Sequence, residues 1–318
     1  AAASLPNGNR LKDPYAILRN SLPIDQKELR ELQNKLEDTS DDLRGSRWSS
    51  ISKATSRSQF LISNKKNQIL DSIPDENKEK AVSLISKLKE ELDELGQIAN
   101  EKNKVSFLEV RRQSLKTIDD IESLLITNNF PYKIPSEYDN LPRLLGRANV
   151  EIKTSKGNMS AIIDGYNAPL TAGAFIDLSL KGFYDGLPIN RAEEFFILQT
   201  GDPQGEAIGY VDPDNNELRN VPLEIRTSSF EDTLYGETFE EVGLYTETPV
   251  LPFATLGTLG WAHSDSDLND GSSQFFFFLY EAELNPAGRN LIDGRNAAFG
   301  YVIEGSEILN KLGVEGKS

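Results

Sequence analysis

Cysteine is absent from the 318 residues. Its absence excludes disulfides, thiolate metal sites and cysteine nucleophiles, and it leaves the fold indifferent to redox conditions. Histidine is nearly absent, with His263 alone. No run of about 18 apolar residues occurs, so the sequence offers no membrane-spanning helix. Basic residues are scarce in one half only. Residues 1–149 carry 24 Lys and Arg against 23 Asp and Glu, a balance of +1. Residues 150–318 carry 10 against 27, a balance of −17, and the halves together give the net −16. A half so acidic repels nucleic acid and anionic membranes. It serves solubility, or selects basic or neutral protein partners. An initiator Met is missing too. The opening Ala1-Ala2-Ala3-Ser4 suits the mature end left by a removed targeting segment, and equally an arbitrary boundary.

What is present changes character near residue 130. The length allows two domains with separate cores. Leu29, Leu32, Leu36 and Leu43 fall at helical spacing after Pro23-Ile24-Asp25, a suitable helix start. Ile51, Ala54, Leu61, Ile62 and Ile69 continue less regularly. Leu84, Ile85, Leu88, Leu92 and Leu95 follow a second start at Pro74-Asp75-Glu76, and Val105, Leu108, Leu115, Ile118, Ile121 and Leu125 make the last stripe. Four stripes with breaks near 46, 73 and 100 predict an antiparallel up-and-down helical bundle over residues 1–127. A coiled coil joining several chains is the competing reading, but the breaks let one chain fold back on itself. Charged positions such as Lys87, Lys89, Glu90 and Glu91 read as solvated faces. No pattern in this part carries chemistry.

Residues 128–149 hold Pro131, Pro135 and Pro142, the signature of a linker. Beyond it Val150, Ile152, Met159, Ala161 and Ile163 alternate in two strand-like runs joined at Lys156-Gly157-Asn158. Pro169 opens a helix, short strands follow, and Ser306 to Leu312 reads as a closing helix. Helices with many short strands suit a closed barrel over residues 150–318. Residues 203–249 form an excursion rich in Asp, Glu, Gly and Thr, either surface decoration or a partner site.

Three separated segments carry the most information. Gly182-Phe183-Tyr184-Asp185-Gly186 leads to Arg191, Phe196 and Gln199-Thr200-Gly201-Asp202. Asp270-Gly271-Ser272-Ser273-Gln274-Phe275-Phe276-Phe277-Phe278 is second, and Asp293-Gly294-Arg295-Asn296-Ala297-Ala298-Phe299-Gly300 is third. With Pro169 to Phe175 ahead of them, this ordered set resembles the cyclophilins, the peptidyl-prolyl cis-trans isomerases. The resemblance covers residues 150–318. It implies an eight-stranded β-barrel with a helix over each end, and it calls for no cofactor and no metal.

The chemistry of that family explains the residue types. Turning an X–Pro bond means breaking amide resonance, against a barrier of roughly 18–20 kcal/mol. No nucleophile is needed. An apolar pocket holds the proline ring, and a donor is aimed at the prolyl nitrogen, which regains a lone pair in the twisted state. By resemblance Arg191 is that donor and the catalytic residue. Phe196, Ile197, Phe276, Leu291 and Ile292 line the peptide groove. Gln199 and Gln274 hold the substrate backbone and the arginine, and Ala262 lines the groove; His263 either offers backbone to the peptide as the family's Asn does there or is a plain loop residue.

Several positions depart from the family. Asn190 stands where a His usually precedes the arginine, Asn296 replaces another His, and Leu291 replaces a bulky aromatic that forms the cyclosporin wall. Glu193 and Glu194 beside Arg191 invite an ion pair that draws the guanidinium away. Asp265 to Asp270 brushes against a calcium-loop pattern, but its Gly is misplaced and Phe276 stands where the bidentate Glu belongs. The arrangement as a whole resembles the multidomain thylakoid-lumen cyclophilins of plant chloroplasts. That resemblance implies a lumenal location, a role in photosystem II assembly, and proline-containing partner segments such as lumenal loops of its core subunits. Two readings follow: a peptide-binding assembly factor with weak or no isomerase activity, and a working isomerase with the bundle as its targeting module. The charge imbalance adds an expectation that basic bundle positions such as Arg111, Arg112 and Lys116 contact the acidic barrel.

Overall fold

The structure, a computed structural model, describes residues 13–280 and 291–314. The Ala1-Ala2-Ala3-Ser4 opening lies outside them. The chain divides into two compact units, one of residues 22–129 and one that joins the residues before 22 to those from 130 onward. The first helix, α1 (Pro14–Asn20), therefore belongs to the second unit.

The helical unit contains α2 (Lys27–Glu37), α3 (Thr39–Arg44), α4 (Trp48–Asn64), α5 (Lys66–Asp71), α6 (Lys78–Glu101) and α7 (Lys104–Ser123). Gln26 starts α2 by accepting from Leu29 N at 2.6 Å. Lys102 leaves α6 with φ 58°, and Asn103 caps α7 by accepting from Ser106 N at 3.1 Å. The breaks at Gly45–Arg47, Ser72–Asn77 and Lys102–Asn103 fall close to those read from the stripes. Helix α2 packs on α4, α4 on α6, α6 on α7, and α7 back on α2. Leu29, Leu32, Leu36, Ile51, Leu88, Leu92, Phe107 and Ile118 fill the space between them. The irregular stripe has a cause in α4, where Thr55 and Ser58 are buried and donate to Ile51 O and Ala54 O, both at 2.9 Å. The three basic side chains expected to reach the acidic half all have partners inside this unit. Arg111 Nη1 donates to Thr39 Oγ1 at 2.8 Å, Arg112 pairs with Glu109 at 2.8 Å, and Lys116 pairs with Asp120 at 2.5 Å.

The second unit is built on β1 (Arg147–Thr154), β2 (Gly157–Asp164), α8 (Pro169–Leu180), β3 (Arg191–Glu193), β4 (Ile197–Thr200), β5 (Val211–Asp212), β6 (Glu217–Leu218), β7 (Glu224–Ile225), β8 (Leu234–Tyr235), β9 (Thr258–Trp261), β10 (Phe275–Phe278) and β11 (Ala298–Glu304). A 3-10 helix, Ser306–Lys311, stands where the closing helix was expected. The main sheet is antiparallel in the order β1-β2-β11-β9-β10-β4-β3. It thus has seven strands among the described residues, not eight, and its pairing does not return from β3 to β1. The strands of the excursion pair with each other, as the hairpins β5–β6 and β7–β8, and Val221 makes an isolated bridge to Gly271.

Three further differences from the sequence reading share a cause. The short helix α1 buries Ile17 and Leu18 against Phe278 and Tyr301, and Arg147 Nη2 donates to Leu18 O at 2.7 Å. Two apolar residues are too few to show which core a helix joins. The Pro-containing segment is packed rather than free. Leu141 is buried, Leu144 N donates to Pro169 O at 3.0 Å, and a Cβ on Gly173 would lie 2.4 Å from the Arg143 Cα. Only glycine lets the segment cross α8 so closely. The excursion is part of the core as well, burying Val221, Leu223, Ile225 and Phe239. Its Glu224 carboxylate accepts from Leu170 N at 3.2 Å and Thr171 N at 3.0 Å, so α8 is capped from 54 residues away.

Candidate functional site

Strand register brings the expected site residues into one row. Arg191 on β3 pairs with Gln199 on β4, Gln199 with Phe276 on β10, and Phe276 with Gly260 on β9. Residues in register across antiparallel strands project to the same face. The next row holds Glu193, Ile197 and Phe278. The four-Phe run is divided by this alternation. Phe275 and Phe277 enter the core under α8, while Phe276 and Phe278 face the other side with Ile197, Phe253 and Tyr301. Phe196, Ala262 and Ile292 pack against that second cluster. Leu291 does not, being 83% exposed.

Phe276 is 5% exposed, so it floors the site instead of lining an open cavity. The ring of Phe253 stacks on it with centroids 5.7 Å apart and planes 16° from parallel. Gly260 makes room for both, since a Cβ there would lie 2.3 Å from Phe276 and 2.8 Å from Phe253. Phe253 is held in turn by buried Asp293, which accepts from its backbone N at 2.8 Å. Sequence reasoning missed Phe253 and Gly260. Neither carries a local signal, because their roles rest on contacts across strands. Asp293, part of the third segment, was visible there but not its role.

The polar residues largely satisfy one another. Arg191 Nε donates to Glu193 Oε1 at 3.0 Å and Nη2 contacts the same oxygen. Gln274 Oε1 accepts from Asn190 Nδ2 at 3.1 Å and from Gln199 Nε2 at 2.8 Å. Gln274 Nε2 donates to the carbonyl of Ile208, in the excursion, at 2.8 Å. Asn296 Nδ2 donates to Trp261 O at 3.2 Å, and both nitrogens of His263 face carbonyl oxygens. In the loop that brushed against a calcium pattern, Asp267 and Asp270 accept from Asn269 N and Ser264 N at 2.9 and 2.8 Å.

Residues 149–317 fit the cyclophilin-type peptidyl-prolyl cis-trans isomerase model. This chain belongs to the cyclophilins. Residues 13–126 fit a second model, the PsbQ-like domain of CYP38-like peptidyl-prolyl cis-trans isomerases. A thylakoid lumen peptidyl-prolyl cis-trans isomerase, sll0408 of Synechocystis, is 43% identical over 97% of this chain and 81% of its own length. Chloroplastic CYP38 of Arabidopsis thaliana is 37% identical over 98% of this chain and 73% of its own. The chain groups with these thylakoid and chloroplast cyclophilins in both of its parts. No helix among the described residues is long and apolar enough to cross a membrane.

Proposed function

We propose that this cyclophilin binds proline-containing protein segments in the thylakoid lumen as an assembly factor, with weak or no isomerase activity. Lumen-exposed loops of photosystem II core subunits are the partners this reading favours. The observation that carries it is that the polar groups of the row, Arg191 and Gln274 together, are already engaged with neighbours. A guanidinium accelerates rotation only if it donates more strongly to the twisted prolyl nitrogen than to the planar ground state. Here it must first leave a carboxylate. The Gln274 amide, which would support the peptide backbone, is also engaged on both atoms. Exposed Leu291 adds little wall for a cyclosporin-sized ligand. The apolar floor of Ile197 and Phe276 remains, with Phe196, Ala262 and Ile292 around it, and supports binding without turnover.

The second reading, a working isomerase on lumenal proteins, is favoured by the retention of Arg191 itself. An exchange assay on a blocked Ala-Pro peptide separates the two. The expected result is binding with an exchange rate far below that of an ordinary cyclophilin. A comparable rate, abolished by Arg191→Ala, would overturn the proposal.

A further inference from the structure

A tight turn joins the two strands that carry Arg191 and Ile197. Glu193 on β3 pairs with Ile197 on β4, and Phe196 N donates to Glu193 O at 3.0 Å. That bond closes a four-residue turn with Glu194 and Phe195 at its centre. Phe195 has φ 61°, and Glu194 is not among the residues of positive φ. A turn with positive φ at its third residue alone asks for glycine there, because a Cβ crowds the backbone in that conformation. A bulky side chain there is strained. The same residue carries a second cost, since Phe195 is 51% exposed.

Neither cost means much alone. Leu180 and Leu291 are more exposed, but their backbones are ordinary, and single apolar side chains are common at surfaces. Ser46, Lys102 and Asn216 also have positive φ, but all three are polar and stand where an element ends or a hairpin turns. Among the described residues only Phe195 joins left-handed backbone to an apolar ring open to solvent. Nothing in the fold rewards that combination, and backbone strain of this kind concentrates at ligand-binding positions.

Resting on the groove reading above, we propose that Phe195 is a specificity residue whose ring packs on a large apolar or aromatic side chain of the bound segment, about three residues from its proline. The position of the turn identifies the occupant. The turn continues both strands of the site, and Phe196 within it packs against the cluster of Ile197, Phe276 and Phe278. The row of Arg191 and Gln199 and the row of Glu193 and Ile197 lie two residues apart, and the turn begins one residue further on. At about 3.3 Å per strand residue, the turn stands roughly 10 Å from the Arg191 row. An extended peptide with its proline at that row covers the distance in about three residues.

The test uses the full chain and blocked alanine peptides with one central proline. One peptide is plain, and two others carry a Phe three residues before or after the proline. A pair of packed aromatic rings corresponds to roughly twofold to tenfold in a binding constant. One of the Phe peptides is expected to bind more tightly than the plain one by about that factor. Phe195→Gly should lose this preference and keep its affinity for the plain peptide. Its denaturant midpoint, read at Trp261 with Trp48→Phe in place, should hold or rise, because glycine accepts the turn. Phe195→Tyr should keep the preference. A ring that only supports the fold would instead lower the midpoint when removed. That fall, a wild type without preference, or a preference kept by Phe195→Gly each overturns the proposal. A wild type that binds none of the peptides would overturn the groove reading beneath it.

Discussion

The helical unit and the sheet unit are held together over different ranges of sequence. In the helical unit each apolar stripe serves the helix that carries it, and α2, α4, α6 and α7 pack as a ring around leucines and isoleucines at helical spacing. In the sheet unit the decisive contacts are remote in sequence. Glu224 caps α8, Phe253 supports Phe276, and Arg147 captures the end of α1 across 129 residues. Periodicity is a local property, so it reports the first kind of structure and is blind to the second.

The largest expected effect tests whether the two units are stabilised separately. Phe277 is buried between β4 and β9, and Phe277→Ala should destabilise the sheet unit by about 3–5 kcal/mol. Trp48 lies in the helical unit and Trp261 in the sheet unit, so single-Trp variants report the two transitions apart. The Trp261 transition should shift and the Trp48 transition should not. A common transition moving in both would break the comparison.

Glu224 sharpens it. Burial pushes its carboxyl above the usual range, although hydrogen bonds from Thr171, Tyr235 and Leu170 pull the other way. A raised value in the folded state means that the folded chain binds the proton more readily than the unfolded chain. Its contribution to stability is therefore complete below the unfolded-state value and is lost as pH rises through the folded-state value. Glu224→Gln should remove this part of the pH dependence. Glu224→Ala should cost about 1–3 kcal/mol by stranding the donors of α8 and Tyr235. Denaturant midpoints across the mildly acid range, read at Trp261, decide it, and an unchanged slope in the Gln variant would contradict the assignment.

The smallest effect lies at the site. The pair of Arg191 and Glu193 is half exposed, and such pairs are worth about 0.2–1 kcal/mol. Releasing the guanidinium with Glu193→Gln should raise the isomerisation rate by at most about fivefold. An increase much beyond that would mean that Glu193 alone restrains an otherwise competent enzyme.

Much of this was legible beforehand, for reasons particular to each element. The helical breaks showed because the apolar stripes are interrupted near 46, 73 and 100, the second at Pro74-Asp75-Glu76. The hairpin of β1 and β2 showed because Met159, Ala161 and Ile163 alternate around a glycine turn, although β1 begins at Arg147 inside the segment read as a linker. Arg191, Gln199 and Phe276 emerged as a set because ordered motifs carry them. Leu291 was grouped with them and stands in solvent. The excursion was read as decoration or a partner site because Asp, Glu and Gly dominate it, yet Val221, Leu223, Ile225 and Phe239 within it are buried.

By itself the sequence determined the helical character of the first part, the family of the second, the acidic charge of that half and the residue types of the site. These depend on local spacing, ordered motifs and composition. Tertiary structure decided which core α1 joins, whether residues 128–149 are free or packed, and how the polar groups of the site are spent. Arg191 has Glu193 two residues away, but strand geometry turns that neighbour into a partner. Phe276 was placed in the groove by resemblance, and the register set Gly260 beside it while Phe253 filled the space. Each of these outcomes is settled by which side chains meet in space, and a linear pattern does not encode that directly.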